Sequence, residues 1–158
     1  MDSIEQIKVD CGFYLNHLMQ VSDNELVLFF SEERISNETK EITFNEGTEN
    51  FVSLKGNLIV TDESCKKYKV TFKKFFAYQV VDESSIEWDN NEVFTGQFPR
   101  KFTKSRFLDH IKENLNVDWY NGVPEMKYEH FQFACSNFLA DIAGQEAPFI
   151  EEVKGFFV

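Results

Sequence analysis

Regular alternation of apolar and polar residues is the feature that most constrains how this chain can fold. Every second residue from Tyr68 to Phe72 is apolar, and the intervening residues are Lys and Thr. A period of two is typical of a β-strand that turns one face toward water. The pattern is interrupted at Lys73–Lys74 and resumes at Phe76, so the sequence predicts a bulge or bend between two strands.

The chain is also rich in a residue type that favours sheets. Eighteen of its 158 residues are Phe, which packs well on a half-buried pleated surface. A chain of this length is typical of one domain. We therefore predict a single α+β domain over residues 1–158, with a mostly antiparallel sheet, one helix near 105–115 and a C-terminal β-hairpin near 127–143.

Two strands are predicted near the N-terminus, around a turn formed by Ser22, Asp23 and Asn24, whose side chains can bond to nearby backbone. A helix over residues 4–18 remains an alternative, because apolar residues there have helical spacing. The polar stretch Arg34–Glu41 is predicted to be a loop.

The predicted helix has a clear start. The hydroxyl of Ser105 can accept an otherwise unpaired backbone N–H, which suits it as the N-cap. An apolar stripe then follows at helical spacing, formed by Phe107, Leu108, Ile111 and Leu115.

The predicted C-terminal hairpin has a definite register. With its turn at Ser136–Asn137, Phe133 lies opposite Ala140 and Phe131 lies opposite Ile142. These side chains share one face because side chains alternate along a strand. We expect that face to belong to the core.

The other face of the hairpin carries a polar cluster, His130, Gln132 and Asp141, which we predict to be solvated. Gln132 lies opposite Asp141 in this register, and His130 lies diagonal to Asp141, within reach of its side chain. Cys135 points to the core face, away from His130. The register therefore excludes a Cys–His nucleophile pair, which would need hydrogen-bond contact.

Two sets of residues leave an enzyme as an alternative. His130 could act as a general base oriented by Asp141. Asp141, Glu152 and Lys154 have the spacing D-x10-E-x-K of a metal-dependent nuclease, in which two carboxylates hold a divalent cation. A second alternative is a small-ligand-binding module with its pocket on the aromatic face of the sheet.

Other signals narrow the class of protein. The sequence has no glycine-rich phosphate loop and no recognised zinc spacing, so we predict no cofactor and no metal.

Cys11, Cys65 and Cys135 are odd in number and far apart, which favours reduced thiols in the cytoplasm. No apolar run approaches the ~20 residues of a membrane span, so no membrane partner is predicted.

The net charge indicates the kind of partner. The chain has 16 Lys and Arg against 27 Asp and Glu, for a net charge of −11. Nucleic-acid-binding proteins draw much of their affinity from cationic side chains on phosphate, so the charge argues against such a partner. An acidic surface instead suits a basic protein.

One segment concentrates this charge. No Lys or Arg occurs from Phe75 to Pro99, and a basic stretch, Arg100–Arg106, follows at once. Acidic residues around an exposed Trp would steer a cationic partner and supply an interface anchor. The predicted partner-binding residues are Asp82, Glu83, Glu87, Trp88, Asp89 and Glu92. A solvated loop whose Trp packs on the core is the alternative.

Three stretches carry a resemblance to known proteins: FFAYQVVDES, RKFTKSRFLDHI and YEHFQFACSNFLADIAGQEAPFI. They resemble small uncharacterised proteins of Gram-positive bacteria that end in a His-aromatic strand, an Asn-containing turn, an Asp-Ile pair and a late Pro. Some of those proteins are encoded beside toxin genes, so the resemblance implies an immunity or accessory role. The prediction is a non-catalytic, cytoplasmic protein that binds a basic toxin or another basic protein through an acidic surface.

Overall fold

The chain forms two antiparallel β-sheets. The computed structural model describes residue 7 and residues 11–45, 51–114 and 128–155. In chain order the strands are β1 (Gly12–Ser22), β2 (Glu25–Asn45), β3 (Phe51–Val60), β4 (Lys67–Phe72), β5 (Phe75–Asp82), β6 (Val93–Thr95), β7 (Arg100–Lys104), β8 (Glu129–Ala134), β9 (Phe138–Gly144) and β10 (Phe149–Val153). The described residues contain one α-helix, α1 (Arg106–Asn114), and a 3₁₀ turn over Glu83–Ser85. The mostly antiparallel α+β class predicted from the sequence is confirmed.

The two sheets divide the chain unevenly. The first has the order β1-β2-β4-β10, with β3 paired to the distal part of β2, and the second has the order β5-β9-β8-β7-β6. The chain passes from the first sheet to the second at the predicted bend, Lys73–Lys74, which lies between β4 and β5. It returns after β9, because β10 pairs with β4.

A shared aromatic core joins the two sheets. Phe30 and Phe72 of the first sheet pack against Phe133 of the second, with ring centroids 5.0 and 6.2 Å away. Phe98 also packs on Phe133 at 5.0 Å. All four rings are buried. Packed Phe side chains therefore form the centre of this core.

The hairpin and the helix agree with their predictions where the structure describes them. Phe133 pairs with Ala140, and Gln132 pairs with Asp141, which is the predicted register. The helix begins after Ser105, whose Oγ accepts the backbone N–H of Leu108 at 3.1 Å. Residue 127 of the predicted hairpin and Leu115 of the predicted stripe lie outside the described residues.

Two local predictions are wrong. Residues 34–41 are not a loop but part of the long strand β2, since they pair with β3 through contacts such as Thr39 with Asn57. Their polar side chains suit a ribbon with water on both sides. The helix alternative over residues 4–18 is also wrong from Gly12 onward, where β1 pairs with β2. Residues 4–6 and 8–10 lie outside the described residues.

Within the described residues, no helix has both the length and the apolar character needed to cross a bilayer.

Candidate functional site

Helix α1 covers the outer face of the second sheet, which faces away from the shared core. Phe107 and Ile111 of α1 pack on Ala143 of β9. Burial of this apolar stripe fixes α1 over the hairpin and removes water from the sheet face below it. His130, Gln132 and Asp141 are buried there. The prediction that this face is solvated is therefore wrong, because a helix 15 residues upstream of the hairpin folds onto it.

The buried polar side chains form a continuous hydrogen-bond chain. Ser105 Oγ lies 2.8 Å from His130 Nδ1, and His130 Nε2 lies 2.8 Å from Asp141 Oδ1. Both contacts are satisfied when the imidazole is neutral with its proton on Nε2: Nδ1 then accepts the Ser105 hydroxyl, and Nε2–H donates to the carboxylate. The ring of Phe102 stacks on the imidazole at 4.4 Å, which fixes its orientation.

Asp141 is the acceptor on which this network converges. Its Oδ1 also accepts a hydrogen bond from Gln132 Nε2 at 2.8 Å. Its Oδ2 accepts one from Gln79 Nε2 of β5 at 2.9 Å. Three donors therefore surround the buried carboxylate, which compensates much of the cost of taking it out of water.

Arg100 connects this network to the acidic segment. Its Nη1 donates to Gln132 Oε1 at 3.1 Å, and its guanidinium carbon lies 5.4 Å from the Trp88 ring and 4.9 Å from the Phe94 ring. The buried Nε has no hydrogen-bond partner among the described residues. Burial lowers the pKa of Arg100. The guanidinium thus holds the Trp88 indole in place by a cation–π contact.

Three of the predicted partner-binding acids have structural roles. Asp82 caps the 3₁₀ turn by accepting the backbone N–H of Ser84 at 2.9 Å. Asp89 accepts the backbone N–H of Asn91 at 2.8 Å, and this bond lowers the pKa of its carboxyl. Glu92 Oε1 accepts the backbone N–H of Arg106, the first residue of α1, at 2.9 Å. The negative charge of Glu92 beside the N-terminus of α1 also interacts favourably with the helix dipole.

The remaining members of the acidic segment, Glu83, Glu87 and Trp88, have exposed side chains. Glu83 and Glu87 are exposed, and neither carboxylate has a hydrogen bond or ion pair to another described residue. Trp88 is 55% exposed. Its ring is therefore only partly buried. The basic stretch compensates part of the segment's charge, since Arg106 lies 3.6 Å from Asp89.

A cleft brings the two predicted clusters together. Its volume is about 340 Å³, and it is lined by segment 85–88, by Glu92 and Arg106, and by the hairpin residues His130, Gln132 and Asp141. Trp88 and Ile86 form an apolar wall, and Glu87 and Glu92 add negative charge. The sequence predicted both clusters but not their proximity.

The Ser105–His130–Asp141 chain has the residue types of a hydrolase triad, but its surroundings do not suit that role. Ser105 is only 1% exposed and is not among the residues that line the cleft. Its oxygen already accepts the backbone N–H of Leu108. A nucleophile needs access to a substrate carbonyl, so the geometry favours a structural network.

The nuclease set predicted from Asp141, Glu152 and Lys154 is not assembled. Asp141 lies on β9 of the second sheet, whereas Glu152 lies on β10 of the first, where it is exposed and 3.6 Å from Lys66. Among the described residues, no group of three His, Cys, Asp or Glu side chains could hold a metal ion. Cys135 lies in the core between the sheets, on the opposite face from His130, as the register predicted.

Comparison with known proteins gives no family: no protein-family model, no curated protein and no solved structure matches this chain.

Proposed function

We propose that this chain is a non-catalytic protein-interaction protein that binds a basic protein at the cleft beside Trp88. The observation that carries the proposal is the convergence of Trp88, Glu87 and Glu92 on one cavity of about 340 Å³. A cavity of this size is at the lower end of the range for ligand pockets. It suits one inserted side chain of a partner better than a large cofactor.

The charge of the cleft supports a cationic side chain as its occupant. Three carboxylates contribute negative charge to the cleft, those of Glu87, Glu92 and the buried Asp141. The cation that lines it, Arg106, lies 3.6 Å from Asp89 and donates a hydrogen bond to the backbone oxygen of Glu87. A Lys or Arg of the partner could pack its methylene groups on Trp88 and place its charged end near Glu87.

Trp88 has the properties of an interface anchor. Tryptophan is among the residues most often found to dominate binding energy. The contact with Arg100 at 5.4 Å holds the indole in position before a partner arrives. Such preorganisation reduces the entropy lost on binding.

The resemblance to proteins encoded beside toxin genes makes a basic toxin the first partner to test. A net charge of −11 would accelerate the approach of such a basic protein.

The test compares one variant that weakens long-range electrostatic attraction with one that removes the Trp88 side chain. A partner is first captured from the native cell with the full chain, with the product of the adjacent gene as the leading candidate. Glu83→Gln/Glu87→Gln should slow association and flatten its salt dependence, because exposed charges act at long range and are screened by salt. Trp88→Ala should mainly speed dissociation, because the ring contributes after desolvation.

A charge-matched control is Glu63→Gln/Glu113→Gln, which removes two exposed acids outside the cleft. Its association rate should fall less than that of Glu83→Gln/Glu87→Gln. Unchanged binding kinetics in both Glu83→Gln/Glu87→Gln and Trp88→Ala would show that segment 82–92 is only a solvated loop.

A further inference from the structure

The stretch of chain that carries Trp88 has little apolar packing to hold it in place. From Glu83 to Gln97 every side chain is exposed or half-buried, and none is buried. Apart from the 3₁₀ turn at its start and the short strand β6, this stretch has no regular secondary structure. Burial of apolar surface is the main source of stability in folded proteins, so polar contacts are needed to fix Trp88.

Arg106, the first residue of α1, supplies several of those contacts. Its backbone N–H donates to Glu92 Oε1 at 2.9 Å. Its guanidinium donates to the backbone oxygen of Glu87, and its Nε lies 3.6 Å from Asp89 Oδ2. The Arg106 side chain therefore contacts the residue before Trp88 and the residue after it.

Helix α1 gives these contacts a firm support. Phe107 and Ile111 are buried and pack on Ala143 of the second sheet, and Ser105 caps the helix by accepting the N–H of Leu108. The first residue of α1 is therefore fixed relative to the hairpin that lines the other side of the cleft. Contacts from this residue can hold an irregular segment at a defined distance from the hairpin.

The stability of the helix does not explain an arginine at position 106. A cation near the N-terminus of a helix interacts unfavourably with the helix dipole. The side chain of Arg106 is also 59% exposed, so it contributes little to the core. Its contacts across to Glu87 and Asp89 are the favourable interactions that the structure gives it. They also account for the basic stretch Arg100–Arg106, which directly follows the acidic segment.

We propose that Arg106 is a positioning residue for the Trp88 cleft, and that it fixes the Trp88 side of the cleft before a partner arrives. A guanidinium suits this role because its fork of N–H donors can engage a carboxylate and a carbonyl oxygen together. Arg100 assists by packing against the indole, 5.4 Å from the ring. The importance of Arg106 for binding rests on the function proposed above, whereas its effect on Trp88 in the free chain does not.

The test measures the mobility of Trp88 in the full chain without a partner. Trp119, the other tryptophan of the chain, is replaced by Phe so that Trp88 alone emits. Arg106→Met keeps an unbranched side chain but removes its charge and its N–H donors. In this variant the fluorescence anisotropy of Trp88 should fall, and its quenching by acrylamide, an uncharged reagent, should rise.

A matched control is Arg34→Met. Arg34 is another exposed arginine that pairs with an aspartate, Asp62, and neither residue lines the cleft. The control should leave both fluorescence signals of Trp88 unchanged. Urea denaturation of the two variants measures any loss of global stability, so that a general loss is separated from a local effect at Trp88.

Limited proteolysis gives a second measurement in which Trp119 is retained. A glutamate-specific protease should cleave after Glu87 faster in Arg106→Met than in the wild type or in Arg34→Met. Cleavage requires local opening of the chain, and removal of the Arg106 contacts makes that opening easier. Mass spectrometry identifies the bond that is cut first.

With a captured partner, Arg106→Met should weaken binding roughly two- to twelvefold, the cost of ordering one flexible side chain on binding. Unchanged Trp88 fluorescence would overturn the proposal. So would cleavage after Glu87 that is no faster than in Arg34→Met. A more mobile Trp88 with unchanged affinity for the partner would support the positioning role and count against the proposed function.

Discussion

His130 and Asp141 are joined by a buried hydrogen bond of 2.8 Å between Nε2 and Oδ1, although they are not opposite each other in the hairpin. The register places His130 opposite Ala143 and Asp141 opposite Gln132. The bond is therefore a diagonal contact between two strands. The other ring nitrogen of His130, Nδ1, lies 2.8 Å from Ser105 Oγ and so links the hairpin to the N-cap of the helix that covers it.

Asp141→Asn should destabilise the protein by ~1–3 kcal/mol. Both oxygens of the Asp141 carboxylate accept hydrogen bonds, whereas an Asn side chain has one accepting oxygen and an NH₂ group that would face a donor. Urea denaturation would measure the loss. Asp82→Asn, at an exposed turn cap, is the control and should cost less. Equal stability of Asp141→Asn and wild type would show that the carboxylate is not the centre of the network.

Ser105→Ala should cost ~1–3 kcal/mol, since it removes the cap of α1 and leaves His130 Nδ1 without a donor. Ser84→Ala, which removes an exposed hydroxyl bonded to Asp82, should cost less. A covalent serine-hydrolase probe should leave Ser105 unlabelled in the folded wild-type chain, as the hydroxyl is buried. Stoichiometric labelling of Ser105 would contradict the non-catalytic proposal.

Phe133→Ala should cost ~3–5 kcal/mol, the range for deleting a large core ring. Phe133 is fully buried at 0% exposure, whereas Phe149 is 61% exposed, so Phe149→Ala is the matched control with a small expected effect. Both are measured by urea denaturation. A loss below about 1 kcal/mol for Phe133→Ala would mean that the core repacks around the missing ring.

Stability should fall at alkaline pH partly through Tyr68. Its hydroxyl donates to Glu32 Oε1 at 2.9 Å, and burial together with this contact raises the pKa of Tyr68. A phenol whose pKa is raised on folding binds its proton more tightly in the folded state. Its contribution is thus full below the unfolded value of ~10 and is lost as pH rises through the folded pKa. The decline in thermal midpoint above about pH 10 should be shallower in Tyr68→Phe, and an identical decline would contradict this.

The three cysteines should differ in how fast they react with a thiol reagent. Cys11 is exposed, and Cys65 and Cys135 are buried. Burial also raises the pKa of the Cys135 thiol, which removes the reactive thiolate. Titration of the native protein should show one fast thiol, and titration in denaturant should show all three. Fast reaction of a Cys11→Ser variant would show that a buried site opens readily.

The features predicted correctly from the sequence are those that depend on local sequence pattern. The bend at Lys73–Lys74, the Ser105 cap and the hairpin register all follow from alternation and turn chemistry within a few residues. These signals are short-range, and the structure retains them.

The burial of the polar cluster His130, Gln132 and Asp141 could not be predicted, because it depends on residues distant in sequence, including those of α1. Gln79 and Asp141 are 62 positions apart, and Arg100 and Gln132 are 32 apart. Neither pairing leaves a periodic signal in one sequence. The same reason explains the wrong loop prediction, since polar residues at 34–41 have no local preference that would distinguish a loop from a strand paired with β3.

The return of the chain to the first sheet has a consequence for synthesis on the ribosome. Strand β4 lies between β2 and β10, so its second edge stays open until residues 149–153 have been made. At typical rates of translation, the roughly 80 intervening residues take on the order of 4–16 s. During that interval an unpaired strand edge is available to other nascent chains. Pairing of β10 with β4 therefore closes this edge and protects the first sheet from aggregation.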